Sequence, residues 1–314
     1  MVNYMADLKA VCFGEVLFDV FPDGERIGGA TLNVASRLSS LGIKTEMISS
    51  VGEDSRGKEI ISYLASSNVG TENVSENENF PTGVVNVTLS KNGSATYGIA
   101  HPAAWDKIKL NSNAEKAAAT SDVFIFGSLA CRDMVSRNTL FELLPKAKFR
   151  ALDFNLRTPH YSREILLQLI EKADHIKFND DELYEIASLM GSKANSLEQN
   201  LKFIIQNTSA QTICVTKGQH GAVLWHEDQL YYNSGYKVEV KDTVGAGDSF
   251  FATLIAGLLK KKQPRKVLDH ACAVGALVAA REGANPELRA EMVKKFMYPD
   301  IKSITMDLHR NKPK

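Results

Sequence analysis

The chain has 314 residues, with 37 Lys+Arg against 37 Asp+Glu and a formal net charge of zero. At about 150 residues per domain the length suits one large or two small domains, and 44% hydrophobic with 24% charged residues describes a chain that buries a core, which excludes disorder as the main state. Balanced charge supplies no field to hold nucleic acid or an anionic membrane, so neither is expected as a partner. Cys12, Cys131, Cys214 and Cys272 form no C-x-x-C pair, which argues against a zinc knuckle or a secreted disulfide framework. With no leader pattern and no window of about 18 apolar residues, the expected location is the cytoplasm.

Short β-rich runs alternate with longer helical patterns along the chain. The period predicts a strand over residues 10–16, a helix over about 31–41, a strand near 46–51 and a helix over about 55–67. After Gly83 the runs VVNVTLS and ATYGI alternate in polarity on either side of Asn92-Gly93, a hairpin signal and thus antiparallel material inserted in an α/β chain. Buried-strand runs follow at 123–126, 149–153, 175–178 and 212–216. Residues 247–259 and 267–280 are apolar on nearly every side and read as two buried helices. A central, mostly parallel sheet flanked by helices follows. The lysine run 260–262 reads as a solvated helix end and the tail HRNKPK as a basic terminus.

The chain lacks the P-loop, the full G-x-G-x-x-G, the G-x-S-x-G elbow and H-E-x-x-H. Its densest local signal is DTVGAGDSF, residues 242–250, where two glycines and an alanine lead into a long apolar helix. Small residues admit a ligand close to the backbone, and free N–H groups of a first helical turn favour an anion such as phosphate. Asp248 would stand beside that anion. Either it caps the helix while the glycines form a turn, or the helix N-terminus keeps it ionised and it accepts a proton from an attacking alcohol. The second reading describes phosphoryl transfer to a hydroxyl. The amides of Gly245, Ala246, Gly247 and Asp248 would hold the developing charge, and Mg²⁺ would neutralise the nucleotide phosphates.

DTVGAGDSF resembles the second signature of the ribokinase-like, or phosphofructokinase-B type, carbohydrate kinase family. GGATLNVA at 28–35, followed by Leu41-Gly42, resembles the first, and GEVLFD at 14–19 resembles the opening strand. Between them DFNLR at 153–157, NDDE at 179–182 and TKGQHG at 216–221 are similar to the family's D-x-N-x-R, N-x-x-E and T-x-G-x-x-G segments. The likeness runs from about residue 10 to 286, and it rests on the joint order of five motifs. It implies a three-layer fold with a mostly parallel sheet and a small antiparallel lid, a single kinase domain over 1–314, and lid strands inserted at about 16–27 and 82–104.

The same resemblance assigns roles. Asp19, Gly28, Gly29, Asn33 and Arg157 would bind the sugar, although each alone reads as a turn residue, a helix entry or a surface charge. Asn179 and Glu182 would organise Mg²⁺ and its waters, although N-x-x-E is also a common capping box. Thr216, Gly218 and Gly221 would meet ATP. Asp242, the carbonyl of Val244 and the segment at Gly283 resemble a monovalent-cation site, implying K⁺. Trp105 reads as packing at the base of the lid, and pairing of lids implies a homodimer. The expected activity is ATP-dependent phosphorylation of a primary hydroxyl, with Asp248 as base and fructose as the sugar. 2-Keto-3-deoxygluconate kinase, ribokinase and nucleoside kinase are the alternatives. From a different class, a catalytically silent sugar- or nucleotide-binding regulator is disfavoured by the presence of Gly245, Gly247 and Asp248.

Overall fold

A computed structural model describes residues 7–89 and 95–299; the Asn92-Gly93 turn and the HRNKPK tail lie outside them. The chain opens with β1 (Lys9–Phe13), β2 (Leu17–Phe21), β3 (Gly24–Gly28), α1 (Ala30–Ser40), β4 (Lys44–Gly52) and α2 (Ser55–Ser66). Next come β5 (Val69–Asn77), β6 (Gly83–Leu89), β7 (Ala95–Ile99), α3 (Ser112–Thr120), β8 (Val123–Gly127), α4 (Met134–Leu143) and β9 (Arg150–Asp153). Then follow α5 (Arg163–Glu171), β10 (His175–Asn179), α6 (Asp180–Leu189), α7 (Leu197–Asn207) and β11 (Thr212–Thr216). The hairpin β12 (Ala222–His226) and β13 (Gln229–Asn233) precedes α8 (Ala246–Leu259), α9 (Pro264–Ala279) and α10 (Ala290–Met297).

The large sheet has nine strands in the order β13-β12-β11-β10-β9-β8-β1-β4-β5. The seven strands from β11 to β5 run parallel, and the β12–β13 hairpin adds an antiparallel edge. Parallel strands are buried on both faces, and side chains alternate between them. In β1, Val11 and Phe13 enter the cluster shared with α3 to α7, while Ala10 and Cys12 enter the cluster shared with α1, α2 and α8. β8 divides likewise, Phe124 and Phe126 to one side and Val123 and Ile125 to the other. The result is a three-layer α/β architecture. Because the chain moves outward from β1 through β4 and then returns to β1's other side at β8, the carboxyl ends of these two strands flank a switch point, the usual ligand crevice of open α/β sheets.

The predicted first strand is interrupted. Gly14 has φ +149, β1 stops at Phe13, and Leu17–Phe21 is a separate strand of a second sheet. Asp19, expected at the end of the first strand, therefore stands in the middle of β2, paired with Arg26 of β3. The second sheet has the order β3-β2-β6-β7. Its outer pairings are antiparallel and its central β2–β6 pairing is parallel. Both central strands leave the same carboxyl edge of the large sheet, which gives them one direction. At its base Trp105 is fully buried beside Ala103 and Leu129, with Arg132 over its ring at 3.9 Å. Three strands had no clear sequence signal: β5, whose VGTENVSEN is mostly polar, and the β12–β13 hairpin. Among the described residues no helix is long and apolar enough to cross a membrane.

Candidate active site

The first turn of α8 is the centre of the site. Its N-cap is Gly245, in the left-handed region at φ +73, where a β-carbon would lie 2.5 Å from both Cα and O of Ala284. Only glycine fits that corner. Asp248 does not cap the helix. The N–H of Ala246 donates to the Thr243 carbonyl at 3.3 Å and that of Ser249 to the Gly245 carbonyl at 2.8 Å. The N–H groups of Gly247 and Asp248 have no acceptor among the described residues. Of the four amides expected to hold an anion, Ala246 is thus turned into the preceding loop, and Gly245, Gly247 and Asp248 have no acceptor among the described residues.

Asp248 instead meets α1. Its Oδ2 accepts a hydrogen bond from Asn33 Nδ2 at 2.8 Å, and Asn33 Oδ1 accepts one from Asn285 Nδ2 at 2.9 Å. Asn33, expected to reach a sugar hydroxyl, spends one amide hydrogen on Asp248 and keeps a second. Enclosure by protein pushes the Asp248 pKa above the ordinary aspartate range, with the Asn33 hydrogen bond and the charges of Lys177 and Arg157 acting the other way. This corrects the expectation of a lowered value: loss of solvation outweighs the groups that favour the charged form, Asn33, Lys177 and Arg157.

Further acids gather beside it. Gly28 leaves the space that Asp19 Oδ2 occupies, since a β-carbon there would collide with that oxygen. Burial lifts the Asp19 pKa to about 6, opposed by Arg157 and assisted by Asp248 and Asp242. Glu15 is 3% exposed; its Oε1 accepts the Ala30 N–H at 3.1 Å, its Oε2 has no partner among the described residues, and burial lifts its pKa to about 7. Gly29, at φ +112, packs its α-carbon against the Glu15 carbonyl, where a β-carbon would come within 2.5 Å. Arg157 is exposed, and its guanidinium donates to the Leu156 carbonyl at 3.0 Å while its charge reaches Glu15, Asp19 and Asp248. Glu15, Ser128, Asp153 and Asn155 line a small cavity at the switch point.

On the other side of α8 lies a cavity of about 660 Å³, whose lining includes Thr216, Gly218, Gly221, Tyr236, Ala246 and Gly247. That volume suits a nucleoside. Asn179 and Glu182 form a reciprocal cap on α6: Asn179 Oδ1 accepts the Glu182 N–H and Glu182 Oε2 the Asn179 N–H, both at 2.8 Å. Glu182 Oε1 also accepts the Leu156 N–H at 2.9 Å, tying DFNLR to NDDE. Asp242, Val244 and Gly283 come together, the Asp242 carboxylate accepting the Val244 N–H at 3.0 Å and the Gly283 N–H at 3.1 Å. Arg26 stands 3.8 Å from the same carboxylate, a counter-cation that the sequence did not suggest.

The pattern of the pfkB family of carbohydrate kinases matches residues 3–290. The chain belongs to this family. It is an ATP-dependent carbohydrate kinase with the ribokinase-like fold. Fructokinase-2 of Zea mays is 26% identical over 307 residues, covering 88% of this chain and 90% of that protein. The crystal structure of an uncharacterized sugar kinase from Pyrococcus horikoshii in complex with ATP is 27% identical, with a TM-score of 0.72 over 88% of this chain and 94% of that one. A fructokinase from Vibrio cholerae, solved with fructose, ADP and calcium bound, shares the fold at a TM-score of 0.80, with 23% identity and 93% and 99% of the two chains covered.

Three groups of the candidate site had escaped motif reasoning. Lys177 of β10 is bound to Asp153 of β9 at 2.9 Å and 3.1 Å. Burial alone would lower its pKa, but Asp153, Glu182 and Asp248 outweigh burial and hold it above the ordinary lysine value. The available signal was a lysine inside an apolar strand, HIKFN, where a charge needs a partner. Glu15 carried the same kind of signal, an acid inside the strand expected over 10–16. Asn285 carried none, because its neighbours in sequence are ordinary loop residues.

Proposed function

We propose that this kinase transfers the γ-phosphoryl group of ATP to a primary hydroxyl of fructose or a similar ketohexose, with Asp248 as general base. The observation that supports the reading is Asp248 itself, a carboxylate with raised pKa at the third position of α8, where its own N–H and that of Gly247 have no acceptor among the described residues. Asp19, the second amide hydrogen of Asn33, the backbone at Gly28 and Gly29, and Arg157 would hold the sugar. Thr216, Gly218 and Gly221 would receive the nucleotide. Asp248 takes the hydroxyl proton as the sugar oxygen bonds to the γ-phosphorus, the bond to the bridging oxygen breaks, and ADP leaves. Enclosure makes this carboxylate a stronger base than a solvated one. The open amides at Gly247 and Asp248 hold the charge that develops on the phosphoryl oxygens.

Among the described residues no three His, Cys, Asp or Glu side chains group to hold a metal. That fits Mg²⁺ bound mainly through phosphates and water rather than by a protein cage. Asn179 and Glu182 would hold its waters, and the ion would supply neutralisation of the phosphate charge. Asp242, Val244 and Gly283 would hold K⁺ in competition with Arg26. The reading includes one kinase domain with the lid inserted at about 16–27 and 82–104, a homodimer formed through the lid, and a cytoplasmic setting, supported by four free, buried cysteines. Fructose is favoured because the relatives at this level of identity include fructokinases.

The experiment is ADP release from ATP and Mg²⁺ over fructose, ribose, 2-keto-3-deoxygluconate and adenosine, with Asp248→Asn as blank. Turnover that depends on Asp248 and is fastest with fructose supports the whole reading. Another sugar in first place replaces the substrate. No turnover, with a melting shift on adding one of them, replaces it with a silent binding protein.

A further inference from the structure

Three side chains from three separate parts of the chain form a line: Asn285 Nδ2 donates to Asn33 Oδ1 at 2.9 Å, and Asn33 Nδ2 donates to Asp248 Oδ2 at 2.8 Å. An ionised carboxylate only accepts, so Asn33 must turn its NH₂ towards Asp248 and its carbonyl oxygen away. That oxygen then needs a donor from behind. We propose that Asn285 is a positioning residue, which holds Asn33 in the one amide orientation able to bind ionised Asp248. The proposal rests on Asp248 being the base.

Two further observations carry it. Asn285 Oδ1 is buried and has no partner among the described residues, which is costly for an acceptor. Turning the Asn285 amide over would set its oxygen against the Asn33 oxygen and break the line, so the unmet acceptor is tolerated for the sake of the donor. The backbone on either side of Asn285 is also pinned. Gly283 N–H bonds to Asp242 at 3.1 Å, and the Pro286 carbonyl accepts from Arg37 Nη2 at 3.0 Å. The same Arg37 donates through Nε to Ser249 Oγ at 3.1 Å, next to the base. Loop 283–286 is thereby held against both α1 and α8, and Asn285 projects from it at a fixed place. The charges around Asp248 come from Lys177, Arg157, Asp153, Glu15 and Asp19, and none of them is altered by a change at position 285.

Asn285→Asp is nearly isosteric and reverses the line. A carboxylate at 285 accepts only, so Asn33 turns its NH₂ to position 285 and presents its oxygen to Asp248, which must then carry a proton to make that bond. The added charge acts in the same direction, so Asn285→Ala, which removes the donor and adds no charge, isolates the amide chain.

The test is kcat/KM against pH from 5 to 9 for wild type, Asn285→Ala, Asn285→Asp and Asp248→Asn, with a melting temperature for each. The acid limb should move to higher pH by about one unit or more in Asn285→Asp and by less in Asn285→Ala, whose kcat should fall about 3- to 10-fold near neutral pH while acceptor KM rises, because the Asn33 amide also faces the sugar. A purely structural role would lower activity equally at every pH, or lower the melting temperature alone. An unmoved acid limb in Asn285→Ala overturns the proposal, including the case in which Asn285→Asp does not fold. If Asp248→Asn keeps full activity, the base assignment itself fails, and that result is separate from the behaviour of position 285.

Discussion

The Nζ of Lys177 lies 2.9 Å from Oδ1 of Asp153, and each side chain is only 7% exposed. Adjacent strands β10 and β9 present the pair at the carboxyl edge of the sheet, and a β-carbon at Gly247 would stand 3.6 Å from that Nζ. A buried cation thus sits under the turn whose open amides face the expected phosphoryl group.

Removing that cation leaves Asp153 buried and unpaired. Lys177→Met should cost about 3–5 kcal/mol of stability in a urea titration and lower kcat. Adding Asp153→Asn should recover much of the stability, because the stranded charge is gone, and none of the kcat. Recovery of both would mean that Lys177 only balances Asp153.

Asp248→Asn should reduce kcat by about 10²- to 10⁴-fold without loss of stability, since it removes a poorly solvated charge. In the wild-type enzyme the acid limb of kcat/KM should lie above the ordinary aspartate range. Activity is lost as pH falls through that raised pKa, because the base must be ionised to accept a proton.

Gly245→Ala puts a β-carbon where Ala284 already stands, on a residue at φ +73. The strain should cost about 1–3 kcal/mol, and displacement of the turn should lower kcat as well. A wild-type melting temperature together with wild-type kcat would show that loop 283–286 yields freely.

Stability should depend on pH through buried groups of opposite sign, among them His175 and Glu15. Among the described residues His175 has no partner on either ring nitrogen; it lies among Phe149 and Phe251, and burial depresses its pKa from 6.5 to about 3. Below pH 6.5 the unfolded chain binds a proton that the folded chain refuses, so stability present above 6.5 is lost on acidification, by up to about 1.4 kcal/mol per pH unit. Glu15 is raised from 4.5 to about 7, so its folded form prefers the proton and stability is lost as pH rises between those values. Melting curves from pH 4 to 8 should lose part of their acid slope in His175→Leu and part of their alkaline decline in Glu15→Gln.

Much of the site could be read from residue order. GGATLNVA and DTVGAGDSF marked the starts of α1 and α8, and their small residues prove to sit at Gly29 and Gly245, where backbone meets backbone. The continuous apolar runs in VFIFG and KAVCF likewise matched strands buried on both faces. The polar β5 was missed because an edge strand has one face in water and no apolar run to reveal it. Asp19 was assigned to the wrong strand because a single glycine, Gly14, turns the chain into the second sheet.

By itself the sequence determined the succession of strands and helices and the chemistry available at each end, since those depend on periods of two or 3.6 residues and on local turn residues. Only the tertiary structure decided that Asn33 bonds to Asp248 across 215 residues, that Lys177 takes Asp153 as its partner, and that Asn285 stands behind both α1 and α8. Those meetings follow from strand order, with β1 placed between β4 and β8, and from helices packing on shared faces. Such order is set by burial of the whole core, which no local window of residues contains.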